Sequence, residues 1–317
     1  MAPTPAKEIK VLVTGYGPFR SVVNNPSWLA VKPLHNRRLD LSQPPSSPSG
    51  LATATPRQSS TSNVGEPQQA QAQAHIQCIQ LPVHYGHVLD TLPRLHGASA
   101  PYSPDAKLWF DARCDSASGL AGEEGKPYPE GYAIEPPQGQ GEAWDVILHV
   151  GVGARGGLEC ESLAHKTGYH LPDAGDCLPP LVDGVAGRAE DVAPQETEKA
   201  ISSSLSARDG KVRGFGRGYE QFDEVQKTPV DVDGLVAWLK QQGFEDVKPS
   251  TDAGLYLCEF ILYASLCEAE RAAASSGRKK TDVMFLHVPP VGERLDTATC
   301  TALIERVAWF CAHKRAL

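Results

Sequence analysis

Cys258 lies in the run Asp252-Ala-Gly-Leu-Tyr-Leu-Cys258-Glu-Phe-Ile-Leu-Tyr-Ala-Ser-Leu266, and its surroundings suit a nucleophile. Asp252 reads as the cap of a helix whose apolar residues run nearly all round, so the segment is expected to be buried. Cys258, Leu262 and Ser265 share one face of it. A cysteine in the early turns of a helix feels the positive end of the macrodipole, which favours thiolate over thiol. A lone buried cysteine is otherwise a small core hydrophobe, so partners decide its meaning. Two strands supply candidates, because Leu148-His149-Val150 and Leu286-His287-Val288 each bring an imidazole toward a strand end. Pro289 and Pro290 stop the second strand just after His287, which places that ring at the mouth of a site. His149 precedes a glycine loop and can serve to support it. A Cys/His pair also needs a group that fixes the imidazole tautomer and steadies its charge. Glu159 and Glu161 are the nearby carboxylates, and spacing alone does not choose between them.

The elements that must position these residues follow from the rest of the chain. Residues 8–14 read as a buried opening strand broken by Gly15-Tyr-Gly-Pro-Phe19. Asn25 and Pro26 then start a helix to about residue 34, with Asn25 as cap and Pro26 where its missing N–H costs nothing. Strand, glycine loop and helix invite a dinucleotide reading, which fails because Arg20 occupies the third glycine position of G-x-G-x-x-G and no acidic residue is placed for a ribose. Residues 75–83 form a second strand. His84 and His87 are spaced as metal ligands, but without a third ligand nearby they read as a solvated pair opening the next helix. Residues 144–150 form a strand closed by the glycine loop 151–157, and 161–170 reads as a short irregular stretch. A helix over 232–242 stopped by Gly243, a short strand over 244–247, the strand 282–289 and an amphipathic helix over 296–313 complete the pattern. Alternating strands and helices predict a three-layer α/β/α sandwich around a largely parallel, mixed sheet, with chemistry beyond the carboxyl ends of the strands.

Three stretches interrupt this pattern with polar, proline-rich and glycine-rich composition: residues 40–74, 111–141 and 182–230. They read as disordered insertions, and what remains has the size of one ordinary domain, so the 317 residues are expected to hold a single interrupted domain. Lys and Arg number 30 against 38 Asp and Glu, a net charge of −8 without a dense basic stripe. That balance argues against nucleic acid or an anionic membrane as partner. No signal peptide core and no apolar run long enough to span a bilayer is evident, so a cytosolic protein is expected. The eight cysteines form no C-x-x-C pair, which predicts reduced thiols, no zinc cage and no cofactor.

Thr14-Gly-Tyr-Gly-Pro-Phe19 with Asn25-Pro-Ser27, Leu81-Pro-Val83-His-Tyr85, His149-Val-Gly-Val152 leading to Glu161-x-x-Ala164, Asp252-Ala-Gly-x-Tyr-x-Cys258, and Phe285-Leu-His-Val-Pro-Pro290 follow one another along the chain. The order of these motifs resembles that of the pyroglutamyl peptidase I family of cysteine peptidases. They run from the first expected strand to the last and skip the three insertions. The resemblance implies Cys258 as nucleophile, His287 as base and Glu161 as carboxylate, the stretch His165-x-x-Gly-Tyr169 setting the register that selects Glu161. It implies an enzyme that removes an amino-terminal pyroglutamyl residue from peptides, with Tyr16, Phe19, Leu257 and Val152 lining the substrate pocket. Three positions depart from the family: Leu255 where Arg is common, Glu259 where Asn or Asp is common, and Lys166 where Asn is common. A rival reading is a non-catalytic or altered-specificity relative of the fold that binds partners through its insertions.

Overall fold

A computed structural model of the chain describes residues 8–20, 22–46, 72–97, 143–153, 156–182 and 211–317. In chain order these form β1 (Glu8–Tyr16), α1 (Pro26–Val31) with a 3-10 turn (Lys32–Leu34), β2 (Arg38–Asp40), β3 (Gln73–Leu81), α2 (Tyr85–Leu95) and β4 (Val146–Val152). There follow β5 (Leu158–Glu161), β6 (Leu163–His165), β7 (Val225–Lys227), α3 (Val232–Gln241), β8 (Val247–Ser250), α4 (Leu257–Ser276), β9 (Asp282–Val288) and α5 (Thr297–Ala316).

Seven strands form one mixed sheet in the order β2-β3-β1-β4-β9-β5-β8. Its central strands β3, β1, β4 and β9 run parallel; β2 is antiparallel to β3, and β5 is antiparallel to β9 while pairing parallel with the edge strand β8. Strand alternation divides the core into two layers. Ile9, Val11 and Val13 of β1, Leu148 and Val150 of β4, Leu158 and Cys160 of β5, and Leu286 of β9 face the helices α1, α3 and α5. Leu12, Ile147, Val283 and Phe285 face α2 and α4. The sandwich of helices on both faces of a mostly parallel sheet is the architecture expected from the sequence.

The same alternation fixes where chemistry can occur. Thr14, His149, Gly151, His287, Glu159 and Glu161 share the parity that faces α4, the helix carrying Cys258. The layer facing α4 therefore holds the polar residues that can meet Cys258.

Several boundaries differ from the sequence expectation. Asp252 does not cap α4: it is exposed, and its carboxylate accepts the Gly254 N–H at 3.0 Å in a local turn. Gly254 and Leu255 both have positive φ (93° and 41°), which a helix cannot accommodate, and the helix starts at Leu257 behind Tyr256. The stretch after Glu161 is not wholly irregular, since β6 pairs antiparallel with β7. The strand expected over 244–247 is shifted to Val247–Ser250, where Pro249 is tolerated because β8 is an edge strand. The insertion expected over 182–230 is overextended: Phe215, Tyr219 and Phe222 are buried, and Phe215 stacks on Phe260 of α4 with centroids 4.1 Å apart. Both ends of the 40–74 stretch are likewise ordered, through Leu41 and from Ala74 inward. Residues 47–71 and 183–210, and the whole of the expected 111–141 insertion, lie outside the described residues.

Candidate active site

Cys258 is the second residue of α4, partly exposed, in the first turn where the leading N–H groups have no intrahelical acceptor. The N-cap Tyr256 supplies no side-chain bond to them. The thiol rests against β4. A Cβ added at Gly151 would lie 2.8 Å from Cys258 Sγ and 2.7 Å from Phe285 Cζ, and one added at Gly153 would lie 2.7 Å from His287 Cβ. Gly151 of β4 and Gly153 just beyond its end thus clear the space in which sulfur and imidazole meet. No larger residue fits at either position without displacing one of them.

His287 stands opposite Gly151 in the β4–β9 register, and Glu159 stands opposite His287 in the β5–β9 register. Two residues along β5, Glu161 returns to the same face, and its Oε1 accepts from His287 Nδ1 at 2.7 Å. That bond fixes the tautomer and leaves Nε2 for the thiol. Glu161 is completely buried and His287 is 6% exposed, so the pair works in a weakly screened environment. Burial opposes the imidazolium, but the charge and hydrogen bond of Cys258 and the hydrogen bond and charge of Glu161 outweigh it, raising the His287 pKa to about 10. A partly exposed sulfur, a buried imidazole and a fully buried carboxylate thus stand in line.

The alternatives left open by the sequence separate cleanly. Glu159 is paired with Lys248 at 2.7 Å, outside the His287 hydrogen bond. Glu159, Glu161 and His287 present potential metal-ligating atoms within 4.8 Å of one another; Glu159 pairs with Lys248 and Glu161 Oε1 with His287, while the buried Glu161 Oε2 has no hydrogen-bond partner among the described residues. His149 is fully buried, and its Nδ1 lies 2.8 Å from Thr14 Oγ1. Burial and the neighbouring His96 lower its pKa to about 3, so it is neutral. His84, at the start of α2, lies 3.5 Å from Asp173.

The expected pocket residues are unequally placed. Tyr16 is buried and donates its hydroxyl to the carbonyl of Leu257 at 2.8 Å, tying the end of β1 to the residue before the thiol. Leu257 itself is 1% exposed and packs in the layer beneath. Phe19 is half-buried, its ring 6.0 Å from that of Tyr256. Val152 has the opposite parity to Gly151 and Gly153, so its side chain leaves β4 away from Cys258 and only its main chain runs along the site side. Tyr256, which was singled out only as part of a motif, lies between Phe19 and Tyr85 (6.1 Å) and donates to the carbonyl of Pro172 at 3.0 Å. Its position two residues before the thiol was the available signal. Glu259 was noted only as a departure from a family pattern, and is the buried carboxylate nearest the thiol in sequence.

Fold and site together define an α/β sandwich with Cys, His and Glu gathered near the carboxyl ends of its central strands. Solved structures share the fold over nearly their whole length. Pyroglutamyl peptidase I of Bacillus amyloliquefaciens aligns with a TM-score of 0.54 at 16% identity, covering 96% of this chain and 97% of that one. Pyrrolidone carboxyl peptidase of the hyperthermophile Pyrococcus furiosus aligns with a TM-score of 0.53 at 17% identity, covering 98% and 100%. Likeness at these identities establishes the common fold. The sequence matches no protein-family model and no curated protein sequence. Among the described residues, no helix is long and apolar enough to cross a membrane.

Proposed function

We propose that this protein is a cysteine peptidase that hydrolyses the amino-terminal pyroglutamyl residue from peptides, with Cys258 as nucleophile, His287 as acid and base, and Glu161 as the group that orients and charges His287. The observation that carries this reading is the buried chain of contacts from Glu161 through His287 to Cys258, in which the imidazole pKa rises despite desolvation. A histidine that merely filled the core would be pushed the other way, as His149 is.

The chemistry follows from the placement. Cys258 Sγ adds to the carbonyl carbon that follows the lactam ring, and the oxygen takes up negative charge. Main-chain N–H groups of the uncapped first turn of α4 would stabilise that oxyanion. Collapse forms a thioester and breaks the C–N bond, with the Nε2 proton of His287 passing to the departing amine. Water then adds to the thioester, giving its proton to His287. Thiolate leaves and free pyroglutamate is released.

Pyroglutamate carries no free amine, so its pocket needs no carboxylate for an ammonium group. It needs apolar walls and main-chain partners for the lactam. Phe19 and Tyr256 offer the aromatic wall, Tyr16 and Leu257 support it from beneath, and the main chain at Val152 offers polar groups. Peptides blocked by pyroglutamate are the partners this implies, and no nucleic acid or membrane is needed. A cytosolic setting, with its reduced thiols, would suit such chemistry.

A fluorogenic pyroglutamyl amide assayed with reductant tests the reading. Turnover is expected that iodoacetamide abolishes, that Cys258→Ser lowers by about 10³-fold or more, and that a chelator leaves unchanged. Activity lost to chelator and retained after alkylation would refute the thiol mechanism.

A further inference from the structure

The residue after the nucleophile is a buried acid that the mechanism does not use. Glu259 is 1% exposed, and its two oxygens face different parts of the chain. Oε2 accepts the main-chain N–H of Leu255 at 2.8 Å. Oε1 accepts the main-chain N–H of His165 at 2.9 Å and faces His165 Nδ1 at 2.6 Å. Leu255 lies three residues before Cys258, and His165 lies four residues after Glu161. A single carboxylate therefore joins the segment that delivers the sulfur to the segment that delivers the acid.

The Leu255 bond carries a specific cost. With φ of 41°, Leu255 occupies the left-handed region, which disfavours a non-glycine residue. Its side chain reaches Gly168, whose added Cβ would lie 3.4 Å from a Leu255 methyl. The turn ends at Tyr256, which caps nothing with its own side chain, so the direction in which α4 starts depends on what holds Leu255. Glu259, third residue of the helix, reaches back past the cap to do so, a longer relative of the capping box. An amide cannot replace it. Glutamine offers one acceptor oxygen and turns an NH₂ group toward an N–H donor at the other end.

We propose that Glu259 is a positioning residue: its carboxylate, braced by His165, holds Leu255 in the left-handed turn that aims Cys258 at His287. The proposal rests on the functional reading above only for its activity readout. Near-attack geometry is steep, and a misplacement of about 1 Å costs about 10²-fold in rate. The displacement expected on losing one tether is smaller than that.

The test compares Glu259→Gln with the double variant Leu255→Gly/Glu259→Gln. Glycine takes positive φ without strain and needs no tether. For Glu259→Gln, kcat on a pyroglutamyl amide is expected to fall about 30-fold with KM within about twofold. The double variant is expected to return to within about threefold of Leu255→Gly alone, which a general loss of stability would not do. The rate of Cys258 alkylation by iodoacetamide is followed in parallel and is expected to fall and recover in the same order. Absence of turnover in the unmodified protein would refute the peptidase reading, while the alkylation series would still decide the role of Glu259. Glu259→Asp keeps the charge but shortens the reach, and it replaces Glu259→Gln if that variant does not fold, with the same loss and recovery expected. Full activity and full alkylation rate in the Glu259 variant, or a loss that Leu255→Gly does not recover, would overturn the proposal.

Discussion

Two histidines occupy the middle of the same tripeptide, Leu-His-Val, on adjacent parallel strands and on the same face of the sheet, yet they are electrostatic opposites. His287 aligns with Gly151, two residues beyond His149 along the strand direction, so His149 sits about 7 Å deeper. At that depth it meets Thr14 and His96, whereas His287 meets Glu161 and Cys258. One imidazole is held neutral and the other charged, although both are almost wholly buried. Burial alone therefore does not set the state of a histidine; the sign of what it touches does.

The largest effect that can break this comparison is expected at His287. His287→Ala should lower kcat/KM on a pyroglutamyl amide by about 10³-fold or more, because in the proposed mechanism it removes both the proton donor and the partner of the Cys258 sulfur. Full activity in that variant would transfer the catalytic role to His149 and invert the contrast.

A smaller effect is expected from His149→Ala, and it should appear in stability rather than turnover. Activity should stay within about threefold, while loss of the buried contact to Thr14 costs about 1–3 kcal/mol in chemical denaturation. Its pH dependence sharpens the point. With a folded pKa of about 3 against an ordinary 6.5, His149 binds its proton more readily in the unfolded chain. Stability owed to it is complete above pH 6.5 and is lost as pH falls toward 3. The variant should show a shallower acid limb, with His96, also near 3, retaining the remainder.

Much of this was legible in the sequence, for identifiable reasons. Near-continuous apolar runs over residues 8–14, 144–150 and 282–288 marked the central strands, and the proline after Val288 placed His287 near a strand end. The choice of histidine was not local information. It depends on how β4 and β9 align, and on β5 entering antiparallel beside β9 so that Glu161, rather than Glu159, meets the ring. Glu159 is diverted to Lys248 on the other neighbour of β5, a pairing that spacing along the chain cannot reveal.

The start of α4 misled for another reason. Asp252 has the chemistry of a cap, but two consecutive positive φ values at Gly254 and Leu255 move the cap from Asp252 to Tyr256. A leucine gives no warning of such a conformation. The tether that permits it, Glu259, lies on the far side of the nucleophile. Phe215, Tyr219 and Phe222 were hidden in a run rich in glycine and charge, where three aromatics do not make a recognisable period. They become core only because α4 presents Phe260 and Tyr263 to them.

The central claim is that His287 carries its proton at neutral pH because Cys258 and Glu161 hold it there. A pH titration of the His287 ring by NMR measures this directly. The ring is expected to stay charged through neutrality and to lose its proton near pH 10. Because that folded pKa exceeds the unfolded value of 6.5, the stability it supplies is fully present below pH 6.5 and is lost as pH rises toward 10. Titration at or below 6.5, unchanged by Cys258→Ser, would contradict the account.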